Sequence, residues 1–247
     1  MAMNANELIL ANTNELTEEE RKELETMMKE EMEQSREGIE LRPTLIKINK
    51  DTLQFYDPFG EMFKTLEGTV IYKQKIRGYW DDPTEKVPAC SSMDCINGVD
   101  TETGKVRNCA TCPNNQWGTA IDQKGNATKG KACKEMRRLY ILRDGDRVPC
   151  LLRVPPTSIK NCDIYFSNRI NKGIPDIARK TVLRLTEASS GGFSYAVIQF
   201  ELGDPVTLQE FKAYREMRNA IKAIAQQTQI TAEDYEENED DSLNAWE

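Results

Sequence analysis

Histidine is absent from all 247 residues. That removes Ser-His-Asp triads, Cys-His pairs and His-ligated metal centres in one step. No apolar run reaches the length that spans a bilayer, and no charged-then-apolar leader opens the chain. The expectation is a soluble, cytoplasmic protein without a membrane partner. Gly-rich phosphate loops of the Walker or dinucleotide type are missing. No carboxylate cluster stands at metal-binding spacing, which argues against a metal-dependent nuclease. With these routes gone, the chain is expected not to be an enzyme.

What is present is cysteine. Five of the seven lie between Cys90 and Cys133. The stretch reads C-S-S-M-D-C, then a Gly- and charge-rich run, then C-A-T-C-P-N-N-Q-W-G, then K-G-K-A-C. Cys109 and Cys112 form a C-x2-C knuckle followed by Pro113. Two thiolates at that spacing can hold one cation from a single tight turn, and soft sulfur donors select zinc over magnesium or calcium. An odd cysteine count in a chain of this length does not suggest a secreted disulfide scaffold. Five thiols compete for four places. Spacing alone slightly favours Cys90, Cys95, Cys109 and Cys112; the other set is Cys90, Cys109, Cys112 and Cys133. Trp117 reads as an apolar cap over the metal loop rather than a base-stacking ring. Cys150 and Cys162 read as small core residues.

The net charge of −8 conceals a pattern. Residues 1–42 carry net −7, residues 64–180 net +8, and residues 231–247 net −8 with no base. A basic middle attracts polyanions, chiefly phosphate backbone, and acidic ends compete with them.

Residues 1–42 read as an acidic extension with a helix from the capping box at Thr17–Glu20 to about Gln34, after a polar, unfolded residue 1–15 stretch. Strands are expected at Leu45–Ile48, Gly68–Tyr79, 136–144 and 148–154. The cysteine module, 81–135, is an insertion between two of them. A helix follows over 157–171, then a hairpin of Thr181–Glu187 and Phe193–Leu202. This order matches a mainly β fold: a five-stranded oligonucleotide/oligosaccharide-binding (OB) barrel over 43–205, with a helix between its third and fourth strands. A helix over 206–230 with an apolar stripe closes the folded part. The 231–247 tail cannot fold alone, yet Leu243 and Trp246 at its tip look like a docking peptide.

Three motifs, C-S-S-x-D, C-x-x-C-P-x-x-x-W-G and K-G-K-A-C, together with the strand order, basic middle and acidic tail, resemble a family of bacteriophage-encoded single-stranded-DNA-binding proteins. The resemblance covers about residues 43–205, with the tail alike in character only. It implies Cys90, Cys109, Cys112 and Cys133 as ligands of a structural zinc ion. It also implies a role in phage DNA replication or recombination in the host cytoplasm. The T4-type helix-destabilising protein combines the same parts, but its ligand set includes a histidine.

The expected interface has Lys73, Lys75, Arg77, Arg137, Arg138, Arg143 and Arg153 tracking phosphates, with Tyr79, Trp80 and Tyr140 as stacking surfaces. Lys129, Lys131 and Lys134 of the module are further candidates. The acidic tail is expected to compete for the groove and to recruit replication or recombination proteins. The alternative is a zinc-ribbon transcription factor that binds RNA polymerase or duplex DNA.

Overall fold

A computed structural model describes residues 16–35, 37, 43–82, 84–121, 125–190 and 193–234. The polar stretch 1–15 and the tail tip with Leu243 and Trp246 lie outside the described residues. Contacts divide the chain into two units, Met1–Pro43 and Thr44–Glu247.

In the first unit, α1 spans Glu18–Gln34. Its capping box is complete: the Glu20 N–H donates to the Thr17 hydroxyl at 3.3 Å, and the Thr17 N–H donates to the Glu20 carboxylate at 2.7 Å. Two of the helix's orphan donors are satisfied this way.

The second unit is mainly β. Its strands are β1 (Leu45–Asn49), β2 (Gln54–Tyr56), β3 (Met62–Phe63), β4 (Thr65–Tyr79), β5 (Cys90–Ser92), β6 (Asn97–Asp100), β7 (Val106–Asn108), β8 (Lys134–Leu142), β9 (Cys150–Val154), β10 (Arg179–Ser190) and β11 (Phe193–Pro205). Two helices accompany them, α2 (Pro156–Asn171) and α3 (Leu208–Gln227). All described strands join one mixed sheet. The hydrogen-bonded path runs β3-β2-β1-β9-β8-β4 and continues through β5, β6 and β7. The start of β4 pairs with β10, which pairs with β11.

The expected five-stranded barrel is not what forms, because the sheet stays open. Closing it requires its end strands to meet. Instead β1 lies parallel to β9, with Leu45 opposite Leu151 and Ile46 opposite Leu152. β11 pairs with β10 alone among the described strands. The sheet still rolls. Ile46, Leu66, Val70, Leu139, Leu152, Leu183 and Ile198 share one core with Cys162 and Phe166 of α2. So α2 packs on that face of the open sheet. Cys150 and Cys162 belong to that core, and burial pushes both thiols up to about 12.

β4 is long enough to serve three partners. Thr65–Gly68 pair with β10, Thr69–Gly78 with β8 and Arg77–Tyr79 with β5. The handover is crowded: a Cβ on Gly68 would sit 2.4 Å from the Leu142 carbonyl oxygen. A bulge between Val70 and Tyr72 adds one residue to β4. It puts Ile71 and Tyr72 together against a second core with Tyr140 and Leu151, while Val70 before them enters the α2 core and Lys73 after them returns to the α2 side. α3 covers that second core with Phe211, Tyr214, Met217, Ile221 and Ala225. Leu208, the first residue of α3, is exposed.

The folded part does not stop at residue 230. Ile230 is fully buried against Ile76 and Met136, with Trp80 and Met93 beside them. Asp234, only 6% exposed, accepts from Arg138 Nε at 2.7 Å and from Arg153 Nε at 3.0 Å. Arg138 also donates to the carbonyls of Thr228 and Gln229. The base of the acidic tail is thereby fixed to β8 and β9. Among the described residues no helix is long and apolar enough to cross a membrane.

Candidate metal centre and nucleic-acid interface

The cysteine module begins after β4 and ends at the start of β8, and its strands β5, β6 and β7 extend the sheet from the end of β4. Cys90 opens β5 and lies opposite Tyr79 of β4 and Asp100 of β6. Cys109 follows β7, and its N–H donates to the Ile96 carbonyl at 2.8 Å. Cys112 precedes a 3-10 turn, Pro113–Asn115, which proline starts because its missing N–H would be unsatisfied there anyway. That turn ties the knuckle together. The buried Asn115 amide donates to the Cys109 carbonyl at 2.7 Å, and the Cys133 N–H donates to the Asn114 carbonyl at 2.7 Å.

Cys90, Cys109, Cys112 and Cys133 consequently line one cavity of about 240 Å³, with Arg77, Tyr79, Gly98, Asp100 and Arg107 also in its wall. Gly98 leaves the space open. A Cβ there would stand 3.0 Å from Cys90 Sγ and 3.5 Å from Cys109 Sγ. Burial raises the Cys133 thiol to about 12, against the pull of Arg77 and with the other three thiols adding to it. Burial and the neighbouring Cys109 and Cys112 raise Cys90 as well.

Cys95 is absent from this wall. It sits at φ 60° in the turn before β6. Burial raises its thiol to about 11, opposed by a hydrogen bond and charge from Arg77. Of the two sets that spacing left open, the fold gathers the one with Cys133.

As placed, no group of three or more Cys, His, Asp or Glu among the described residues is drawn close enough to hold a metal ion. The donor set nevertheless suits zinc: four soft thiols around one space, with Gly98 leaving room beside two of them. Ligation would displace the thiol protons and pull the four sulfurs inward.

The expected cationic interface divides between the two faces of the sheet. Lys73, Lys75 and Arg77 of β4 and Arg137 of β8 share one face, with Lys75 directly opposite Arg137. Each has an acidic partner. Lys75, Arg77 and Arg137 all pair with Glu135. Arg137 also pairs with Asp163 of α2 at 2.7 Å, and Lys73 pairs with Asp176 while lying 4.5 Å over the Phe166 ring. Burial alone would raise the Glu135 carboxyl, but the hydrogen bonds and charges of Lys75 and Arg137 bring it down to about 2. Lys75 and Lys73 keep 47% and 36% of their side chains exposed, Arg77 and Arg137 only 13% and 8%. The lysines are the reachable charges.

Burial corrects two of the expected contacts, Arg138 and Tyr140, and the rest are half-buried with partners of their own. Arg138 is 1% exposed and Tyr140 0%. Neither can meet a nucleotide: Arg138 holds Asp234, and Tyr140 packs in the α3 core against Tyr72. Arg153 joins Arg138 on Asp234. Arg143 is engaged with Asp146 at 2.7 Å in its own hairpin. Trp80 leans on Ile76, Met136 and Ile230, and Tyr79 lines the cysteine cavity. Lys134 is half-buried, and that desolvation lowers its pKa. Trp117 does not cap anything: it is 72% exposed.

Sequence reasoning missed Glu135, Asp163, Asp176 and Asp234. Glu135 was within reach of it, since it stands two residues before Arg137 and so on the same strand face. Asp234 carries no such signal, being 96 positions from Arg138.

No protein-family model, no curated protein and no solved structure matches the chain.

Proposed function

We propose that this chain binds single-stranded DNA without regard to sequence, in phage DNA replication or recombination, with zinc in the cysteine cavity as a structural brace. The observation that carries the reading is a juxtaposition. The four-thiol cavity adjoins the cation row of β4 and β8 through Arg77, which lines the cavity and pairs with Glu135. A module that cannot build a core of its own is braced by ligation, and its position beside the row orders one flank of a groove. In this reading the open sheet is a relative of the oligonucleotide-binding barrel in which β1 occupies the closing edge.

Lys73 and Lys75 meet phosphates, which replace Asp176 and Glu135 as their partners. Arg77 and Arg137, more deeply set, hold Glu135 and the strand register. Phosphate contacts release counterions, so affinity falls steeply with salt. The tail beyond Asp234 competes for the same cations when DNA is absent and recruits partner proteins through Leu243 and Trp246.

The test is a gel shift of matched single-stranded and double-stranded oligonucleotides over a salt series, with and without a zinc chelator. Preference for single strands, lost on chelation, is expected. Preference for the duplex would overturn the reading in favour of a zinc-ribbon transcription factor.

A further inference from the structure

We propose that Trp117 is a stacking platform for an unpaired base, with Lys131 beneath its ring and Lys129 beside it for the flanking phosphates. The site deepens the single-strand reading above and rests on it.

An indole is among the most favourable side chains to bury, yet this one is 72% exposed. It is not exposed by default on a slack loop. Gly118, at φ 84°, turns the chain immediately after it. The N–H groups of Gly118, Thr119 and Ala120 converge on the Gly130 carbonyl at 2.9, 3.1 and 3.2 Å. On the other side, the Gln116 amide donates to the carbonyls of Ala110 and Cys112 at 3.2 and 3.1 Å. The Thr119 hydroxyl donates to the Gln116 carbonyl at 2.7 Å and accepts the Ala132 N–H at 3.0 Å. Trp117 is therefore mounted between the Cys109–Cys112 knuckle and Cys133, where little freedom remains to be lost on binding.

Lys131 gives the platform its charge. Its ammonium lies 4.9 Å from the centre of the indole ring and 3.5 Å from the side-chain Oδ1 of Asn115, and Asn115 is itself buried and tied to Cys109. One ring face thus has a cation, and the exposure leaves surface for a second planar group. Residues 125–132 contain Lys129 and Lys131 and no acidic residue. An aromatic face with adjoining cations matches a nucleotide, base on ring and phosphate on ammonium, and does so for any base.

The experiment compares the full-length chain with Trp117→Ala, Trp117→Phe and Lys131→Ala. Each binds a deoxythymidine oligonucleotide and an abasic deoxyribose-phosphate oligomer of equal length. Trp117→Ala is expected to weaken binding of the thymidine strand by about 5- to 150-fold and to leave the abasic oligomer unchanged. Trp117→Phe should recover most of that loss. Lys131→Ala should weaken both and flatten the salt dependence by about one charge. Equal affinity of Trp117→Ala and wild type for thymidine would overturn the platform. So would equal losses on both oligomers, or a phenylalanine variant no better than alanine. A wild-type chain that binds neither oligomer overturns the single-strand reading itself, an outcome no variant can imitate.

Discussion

Replacing Asp234 by alanine removes the acceptor on which two arginines converge. Asp234 and Arg138 each keep 1% of the side chain exposed, and Arg153 keeps 20%. The carboxylate accepts from Arg138 Nε at 2.7 Å, from Arg153 Nε at 3.0 Å and from the Thr231 N–H at 3.1 Å. Without it, Arg138 retains only the carbonyls of Thr228 and Gln229, and its charge is left in a dry place. Breaking one side of a buried ion pair costs about 3–5 kcal/mol. For a unit of this size that lowers Tm by about 6–20 °C. Arg153, nearer water, turns outward at little cost. The control is Asp234→Leu with Arg138→Met, which removes both charges and should recover most of the loss, since an apolar replacement of a buried pair is often neutral or better. Circular dichroism melts of the single and double variants decide it. A single variant within about a degree of wild type, or a double variant worse than the single, would refute the argument that an orphaned Arg138 charge is what the substitution exposes.

Four further outcomes are expected. Cys109→Ser and Cys133→Ser should each lower the zinc content of purified protein, while Cys95→Ser leaves it at one per chain; metal analysis checks this. Glu135→Gln removes the shared acid partner of Lys75, Arg77 and Arg137, so single-strand affinity should rise at low salt while Tm falls. Deleting residues 235–247 keeps Asp234 and should leave Tm unchanged while raising affinity at low salt. A deletion from residue 228 onward strips Ile230 and Asp234 and should melt well below wild type, so comparing the two truncations separates tail from clamp.

Much of the element layout was legible in local chemistry. The capping box at Thr17–Glu20 opens α1 where that motif stands, because a cap acts within one turn. Strand alternation marked β4, β8, β10 and β11, and the gap between β4 and β8 marked the cysteine module. The bulge at Ile71 was not legible. It depends on β4 passing from β10 to β8, a requirement set by partners far along the chain.

Residue chemistry by itself determined that no imidazole can serve a metal here, which leaves the clustered thiols as the soft donors, and that cations concentrate between two acidic ends. Which thiols line one cavity was decided by the fold, because the 3-10 turn after Cys112 brings Cys133 in while the turn at Cys95 points its thiol at Arg77. Tertiary structure likewise decided which arginines can reach a ligand. Charge is a property of the residue, but its availability depends on what the other strands and the returning C-terminal segment place against it, and Asp234 claims Arg138 and Arg153 before any phosphate can.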